Sequence, residues 1–300
     1  MSFLVRFWGV RGSIPTPGRG TYRYGGNTSC LELDIDGTLF VCDAGTGVRE
    51  LGADLMERDG PVHVHWFFSH MHWDHIQGFP FFTPVYVPGN RFTIYGVRTG
   101  DTRFARLLSG QMRSSYFPVE FADLQGNIEA NDLGPTMARE VEGVMVRSFE
   151  QHHPGLSYGY SFEKNGVKVV YSTDNEIDML LADPELPLRD PAAMRPIPAD
   201  LVAFCSKADL LICDAQYGDE DYPSRVGWGH PRATTVVDLA VQAGARQLAL
   251  HHHDPMHNDD AVEAHVAICR QRAKAHGSDL FVFAAREGFA VRADKSHRPG

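Results

Sequence analysis

Two stretches of this chain, far apart in sequence, follow one plan, and that repetition limits the folds open to it. Between Cys30 and Asp43 apolar residues alternate at Leu31, Leu33 and Ile35, the chain turns at Asp36-Gly37, and it returns through Leu39 and Val41. The plan recurs in Tyr158 to Phe162, a turn at Asn165-Gly166, and Val167 to Tyr171. Alternation on both sides of an Asp-Gly or Asn-Gly pair predicts a β-hairpin, because only such residues accept the positive φ of the tight turn. Each hairpin runs on to an aspartate, Asp43 in the first and Asp174 in the second. The chain reads as two similar halves.

Helical spacing links Val48, Leu51, Leu55 and Met56; Val236, Val237, Leu239 and Ala240 up to Gly244; and Val262, Val266 and Ile268 up to Gly277. Short apolar runs at Val62 to Phe68, Leu210 to Cys213, Leu248 to Leu250 and Leu280 to Phe283 predict buried strands. Strands alternating with helices predict a layered α/β architecture. The chain is expected to form one domain over 1–300, with surface insertions near 83–142 and 183–198 and a low-complexity tail at 294–300.

With 300 residues, 43% of them hydrophobic, the chain can bury a large core. Met1 to Val10 reads as a strand rather than a leader, and no stretch approaches the ~20 apolar residues of a membrane span, so a cytoplasmic protein is expected. The cysteines, Cys30, Cys42, Cys205, Cys213 and Cys269, are odd in number and set mostly in apolar runs, which predicts reduced core residues. A net charge of -10 argues against a long nucleic acid and for a small-molecule substrate. Bound divalent cations would still make a site locally positive. A homodimer is left open.

After the strand HVHWFF come Ser69, His70, Met71, His72, Trp73, Asp74 and His75, three imidazoles and a carboxylate within six residues. Such donors at a strand end suit Zn, Mn or Fe. The order His-x-His-x-Asp-His resembles the signature of the metallo-β-lactamase superfamily, and the resemblance extends over nearly the whole chain. Its other motifs look like Asp43 in VCDAGTG, His153 in QHHPG, Asp174 in YSTDNE and His252 in LALHHHDP. The resemblance implies an α/β fold, the four-layer αββα metallo-β-lactamase sandwich built from two similar halves, and a metal-dependent hydrolase.

Carried over by position, His70, His72 and His153 would hold one metal, Asp74, His75 and His252 the other, and Asp174 would bridge them. Two divalent ions, zinc first with Mn or Fe as alternatives, would activate a water between them. Asp74 counts with the catalytic residues as well as the ligands, and Asp43 would orient a ligand through hydrogen bonds or simply cap its turn. His152 is an alternative to His153, and His251 and His253 are alternatives to His252.

The segment LLICDAQYGDEDY with GWGHPRATTVVDLA resembles the phosphodiesterase branch of the family, which includes tRNA 3′-processing nucleases and PhnP-like cyclic phosphodiesterases. There His230, oriented by Asp214, would protonate the leaving alkoxide. Asp stands where the nucleases have Glu, and Pro231 follows His230; capping the next helix is the other role open to His230. The expected reaction is hydrolysis of a small or cyclic nucleotide-type phosphodiester, with a lactone or thioester hydrolase, or a tRNA-processing nuclease, as alternatives. Arg11, Arg19 and Arg23 in a Gly-rich loop could receive a phosphate, and Trp73, Phe79, Phe81, Phe82, Tyr116 and Phe117 could line a pocket for a base.

Overall fold

The computed structural model describes residues 2–98, 100–134 and 136–293, so the tail at 294–300 lies outside the described residues. The chain divides into two compact units, Met1–Gly134 with Arg286–Arg292, and Pro135–Ala285 with Ala293–Gly300.

The first unit contains β1 (Phe3–Gly9), β2 (Cys30–Ile35), β3 (Thr38–Cys42), α1 (Val48–Met56), β4 (His63–Phe67), α2 (Trp73–Ile76), β5 (Arg91–Val97), α3 (Phe104–Gly110) and β6 (Asn127–Leu133). The second contains β7 (Ala138–Val141), β8 (Val144–Gln151), β9 (Ser157–Lys164), β10 (Val167–Ser172), α4 (Leu186–Arg189), α5 (Ala199–Cys205), β11 (Leu210–Asp214), α6 (Ala233–Gln242), β12 (Gln247–His251), α7 (Asp259–Ala275) and β13 (Phe281–Ala284). The chain then re-enters the first unit as β14 (Ala290–Arg292).

Each unit is one mixed seven-stranded sheet with helices, in the order β14-β1-β2-β3-β4-β5-β6 in the first and β13-β12-β11-β10-β9-β8-β7 in the second. Both expected hairpins form, and their turns carry positive φ at Asp36 (52°), Gly37 (85°), Asn165 (51°) and Gly166 (76°), the mirror-image turn that matches strand twist. Within each sheet the hairpin's second strand is where pairing changes sense. β3 is antiparallel to β2 and parallel to β4; β10 is antiparallel to β9 and parallel to β11. Asp43 and Asp174 follow the C-terminal ends of β3 and β10, at the end of each sheet where the loops after the parallel strands emerge.

Trp66 of β4 anchors the first core, with the rings of Phe68, Phe79 and Phe82 at 5.4, 5.6 and 4.8 Å. Phe79 and Phe82 are therefore core residues rather than pocket lining, whereas Trp73, Phe81 and Tyr116 are exposed. In the second unit β11 and β12 are buried along their whole length, the continuous pattern of strands covered on both faces. Along α7 the buried apolar positions are Val262, Val266, Cys269 and Ala273; Ile268, expected inside, is exposed. The segment 83–142 is more regular than expected, because it supplies β5 and β6 of the first sheet. The Pro-rich segment 183–198 is tied down by Arg195, which is fully buried beside Asp238. No helix among the described residues is long and apolar enough to cross a membrane.

Candidate metal centre

In the first unit the donors follow β4 directly. Asp43 sits at φ 59°, in the left-handed region, and its amide donates to Phe67 O at the end of β4, 2.9 Å away. This turn aims its buried carboxylate at the loop. Asp43 Oδ1 accepts the Ser69 amide at 2.7 Å, the Ser69 hydroxyl lies 2.9 Å from Oδ2, and His75 Nδ1 stands 2.8 Å from Oδ2. A carboxylate only accepts, so His75 carries its proton on Nδ1 and presents the lone pair of Nε2. Asp74 Oδ2 lies 3.3 Å from that Nε2 and also accepts the Ser13 amide at 2.7 Å. The His70 ring is 4.5 Å from His72 and 4.3 Å from His75, centroid to centroid. His70, Asp74 and His75 are buried and His72 is exposed.

The second unit repeats this arrangement on other strand ends. His153 follows β8 and donates from Nδ1 to Gly229 O at 3.0 Å, while its Nε2 lies 3.7 Å from Asp174 Oδ2. His252 follows β12 at φ 59°; its Nδ1 lies 2.9 Å from Gln216 Oε1 and its Nε2 lies 3.3 Å from Asp174 Oδ1. Asp174, itself at φ 50°, thus offers one oxygen to each imidazole. Of the alternatives, His152 is exposed, His251 packs edge-on against Tyr171, and His253 donates to Ala285 O.

These donors fit a metal. In His75, His153 and His252 the Nδ1 proton is held by an oxygen, so Nε2 bears a lone pair toward a carboxylate oxygen 3.3 to 3.7 Å away. Two lone pairs that close repel unless a proton or a metal ion lies between them, and a metal ion could serve several of these imidazoles at once.

Asp214, the last residue of β11, completes a group in which ligand atoms of Asp174, Asp214, His230 and His252 lie within 4.8 Å of one another. His230 Nδ1 is 2.7 Å from Asp214 Oδ2, so the shorter carboxylate does close the contact. The α6 N-cap position belongs to Arg232, so His230 does not cap that helix. Three residues that sequence reasoning missed hold this segment. Glu176 accepts the amides of Gly227 and Gly229 and the Tyr222 hydroxyl, each at 2.7 Å. Asp178 binds the Arg232 amide at 2.8 Å and its guanidinium at 2.7 Å, and burial outweighs that partner in raising its pKa. Gln216 fixes the tautomer of His252. Glu176 and Asp178 follow Asp174 in the run DNEID, the one sequence hint of them.

All five cysteines are buried free thiols. Burial, with the charge of Asp43 next in size, pushes Cys30 and Cys42 well above the usual thiol range, which keeps them inert. Arg11 is fully buried and donates from Nε to Gly25 O at 2.8 Å, so it builds its loop instead of facing a phosphate; Arg19 and Arg23 are exposed.

Strand-end imidazoles and carboxylates on two mixed sheets define a candidate α/β metallohydrolase. The description "Beta-lactamase superfamily domain" matches residues 38–253, and the chain belongs to that superfamily. Ribonuclease Z of Methanosarcina mazei is 26% identical over 293 residues, covering 85% of this chain and 89% of that protein. Among solved structures, the metallo-β-lactamase fold protein YhfI from Bacillus subtilis aligns with TM-score 0.66 at 18% identity, covering 97% of this chain and 98% of that one. A diphosphatase of the PhnP family gives 0.65 at 18% (96% and 97%), and the short form of human tRNase Z gives 0.63 at 18% (97% and 99%). The chain has the metallo-β-lactamase fold and is a metal-dependent hydrolase.

One expectation is overturned. The net charge argues against a long nucleic acid and for a small-molecule partner, yet a relative is a ribonuclease by name and a tRNase shares the fold. Formal charge sums over the whole surface and omits bound divalent cations, whereas cutting RNA needs positive charge only where the scissile phosphate sits.

Proposed function

We propose that this chain is a phosphodiesterase that cleaves an internucleotide bond in RNA, with His70, His72, Asp74, His75, His153, Asp174 and His252 as ligands of two zinc ions. Mixed imidazole and carboxylate donors support zinc, and Mn or Fe would use the same set. Bound there, the two ions would supply a hydroxide at neutral pH and polarise a phosphoryl oxygen. Asp43 orients His75, and Gln216 orients His252, through the Nδ1 proton of each ring. His230, held at Nδ1 by Asp214, can deliver a proton from Nε2 to the departing ribose oxygen, with Asp214 stabilising the imidazolium before transfer.

The observation that carries this reading is the His230–Asp214 contact of 2.7 Å within the group that includes Asp174 and His252. An alkoxide is a poor leaving group and needs that proton; a thiolate does not. The likeness to Ribonuclease Z favours RNA over a small phosphodiester. Buried free thiols support a reducing compartment, the cytoplasm.

The test is a panel with zinc, manganese or iron: a tRNA with a 3′ extension, bis-p-nitrophenyl phosphate, a lactone, a thioester and nitrocefin. RNA scission is expected, and His230→Ala should slow it by ~10²–10⁴-fold while scarcely affecting p-nitrophenolate release. Turnover of the lactone or thioester alone refutes the reading; equal losses on both phosphodiesters refute the proton donor.

A further inference from the structure

A second cluster of metal-type donors lies in the second unit, and none of its members serves the set above. Asp221 comes from the segment after β11, His257 precedes α7, and His265 lies within that helix. His257 Nε2 is 3.5 Å from Asp221 Oδ2, and the His257 and His265 rings meet at 83° with centroids 4.7 Å apart. One ligand atom from each of the three falls within 4.8 Å of the others, and all three side chains are half-buried.

Gly218 supplies an independent observation. Its φ lies outside the left-handed range, so its backbone does not call for glycine. A Cβ there would stand 3.0 Å from His265 Nε2 and 3.2 Å from Asp221 Oδ2. The missing side chain keeps open the space beside these donor atoms. A cavity of about 370 Å³ adjoins it, lined by Asp219, Glu220, Asp221, Thr234 and His265 among others.

We propose that Asp221, His257 and His265 form an auxiliary site for one zinc-class divalent cation. Asp221 Oδ1 already pairs with Arg225 Nη1 at 3.4 Å, so Oδ2 needs no imidazolium, and two charged imidazoles side by side would repel each other. A shared cation satisfies two imidazoles and a carboxylate at once. Imidazole ligation selects zinc, nickel, cobalt or copper over magnesium and calcium, and three protein ligands beside an open cavity leave a position for water. Asp221 lies between Gln216 and His230 in the chain, and His257 lies just beyond His252, so occupancy ties together the two segments that carry those residues. The site braces them and takes no part in the chemistry.

Equilibrium dialysis of the intact chain against buffered zinc, from nanomolar to millimolar, with metal counted by mass spectrometry, tests this. Wild type is expected to take up one zinc per chain more than Asp221→Asn, His265→Gln or Gly218→Ala, the last of which keeps every donor and fills the space. Cobalt should give a d–d absorption in wild type that loses one component in each variant. Asp221→Asn preserves shape and is the deciding comparison if a histidine variant unfolds. Zinc uptake by Asp221→Asn equal to that of wild type at every concentration overturns the site, whatever becomes of the catalytic ligands.

Discussion

Asp43, Asp174 and His252 each follow a strand and each hold a positive φ, 59°, 50° and 59°. Aspartate and histidine enter that region more readily than most residues, and such strain still costs roughly 1–3 kcal/mol where it is imposed. It persists because the turn points the side chain across the strand ends. Asp43→Asn separates charge from backbone, since asparagine also accepts positive φ. Its amide cannot accept from both Ser69 and His75, so the Nδ1 proton of His75 loses its anchor. Zinc affinity, measured against a competing chelator, should fall by ~10–100-fold; unchanged affinity would mean that Asp43 only shapes the loop. At this scale the sequence was legible where donors crowd together, as in His70 to His75. It was mute where a neutral residue does the positioning: nothing marks Gln216 as the partner of His252, because an amide carries no pattern of its own. The family resemblance, through its histidine-proline-glycine pattern and ligand position, was what singled out His153 and His252 among their neighbours; their Nε2 atoms lie 3.7 and 3.3 Å from an Asp174 oxygen.

Among the elements, the loop from Tyr222 to His230 depends on one buried carboxylate. Glu176 gathers two loop amides and a hydroxyl, and Gly229 in turn accepts from His153. Gly229 has φ 94°, and a Cβ on it would lie 2.2 Å from His153 Nδ1, so glycine is required twice over. Glu176→Gln leaves one amide without its acceptor and turns an NH₂ group toward it. A charge-assisted bond of this kind contributes roughly 1.5–3 kcal/mol, so stability against urea should drop by about that much. The turnover number should fall with KM nearly constant, because His230 is displaced while other contacts stay. A stability loss with an unaltered turnover number would reduce Glu176 to a structural bolt. The hairpins, α1, α6, α7 and the apolar strands were readable because alternation or helical spacing marks each of them. β6 was not: NIEANDL is polar and mostly exposed, poor in the β-branched and aromatic residues that signal a strand, and it lies at the sheet's edge. β7 and β14, of four and three residues, are too short for any period to show.

For the molecule as a whole, the path of the chain sets a dependence no single element reveals. The first sheet needs β14 from the far end of the sequence, which pairs with β1 and covers an edge that would otherwise be open. Just before β14, Glu287 accepts the Asn27 amide at 2.5 Å and the Asn27 side chain at 3.0 Å, across 260 residues of sequence. Burial raises the pKa of Glu287 above its ordinary 4.5, against the opposing pull of those hydrogen bonds and of Arg11. The native state therefore holds this proton more tightly than the unfolded chain does. Over the range just above 4.5 it binds more protons than the unfolded state, and raising the pH there costs native stability. Glu287→Gln removes the titration and keeps one acceptor oxygen for Asn27. The difference in melting temperature, variant minus wild type, should grow as pH rises from about 4 to 7 and then level off once both states of wild type are ionised. Its starting offset reports the altered hydrogen bonding, and only its slope reports the proton. A difference that stays flat across this range would show that folding leaves the proton affinity of Glu287 unchanged, its hydrogen bonds from Asn27 offsetting its burial.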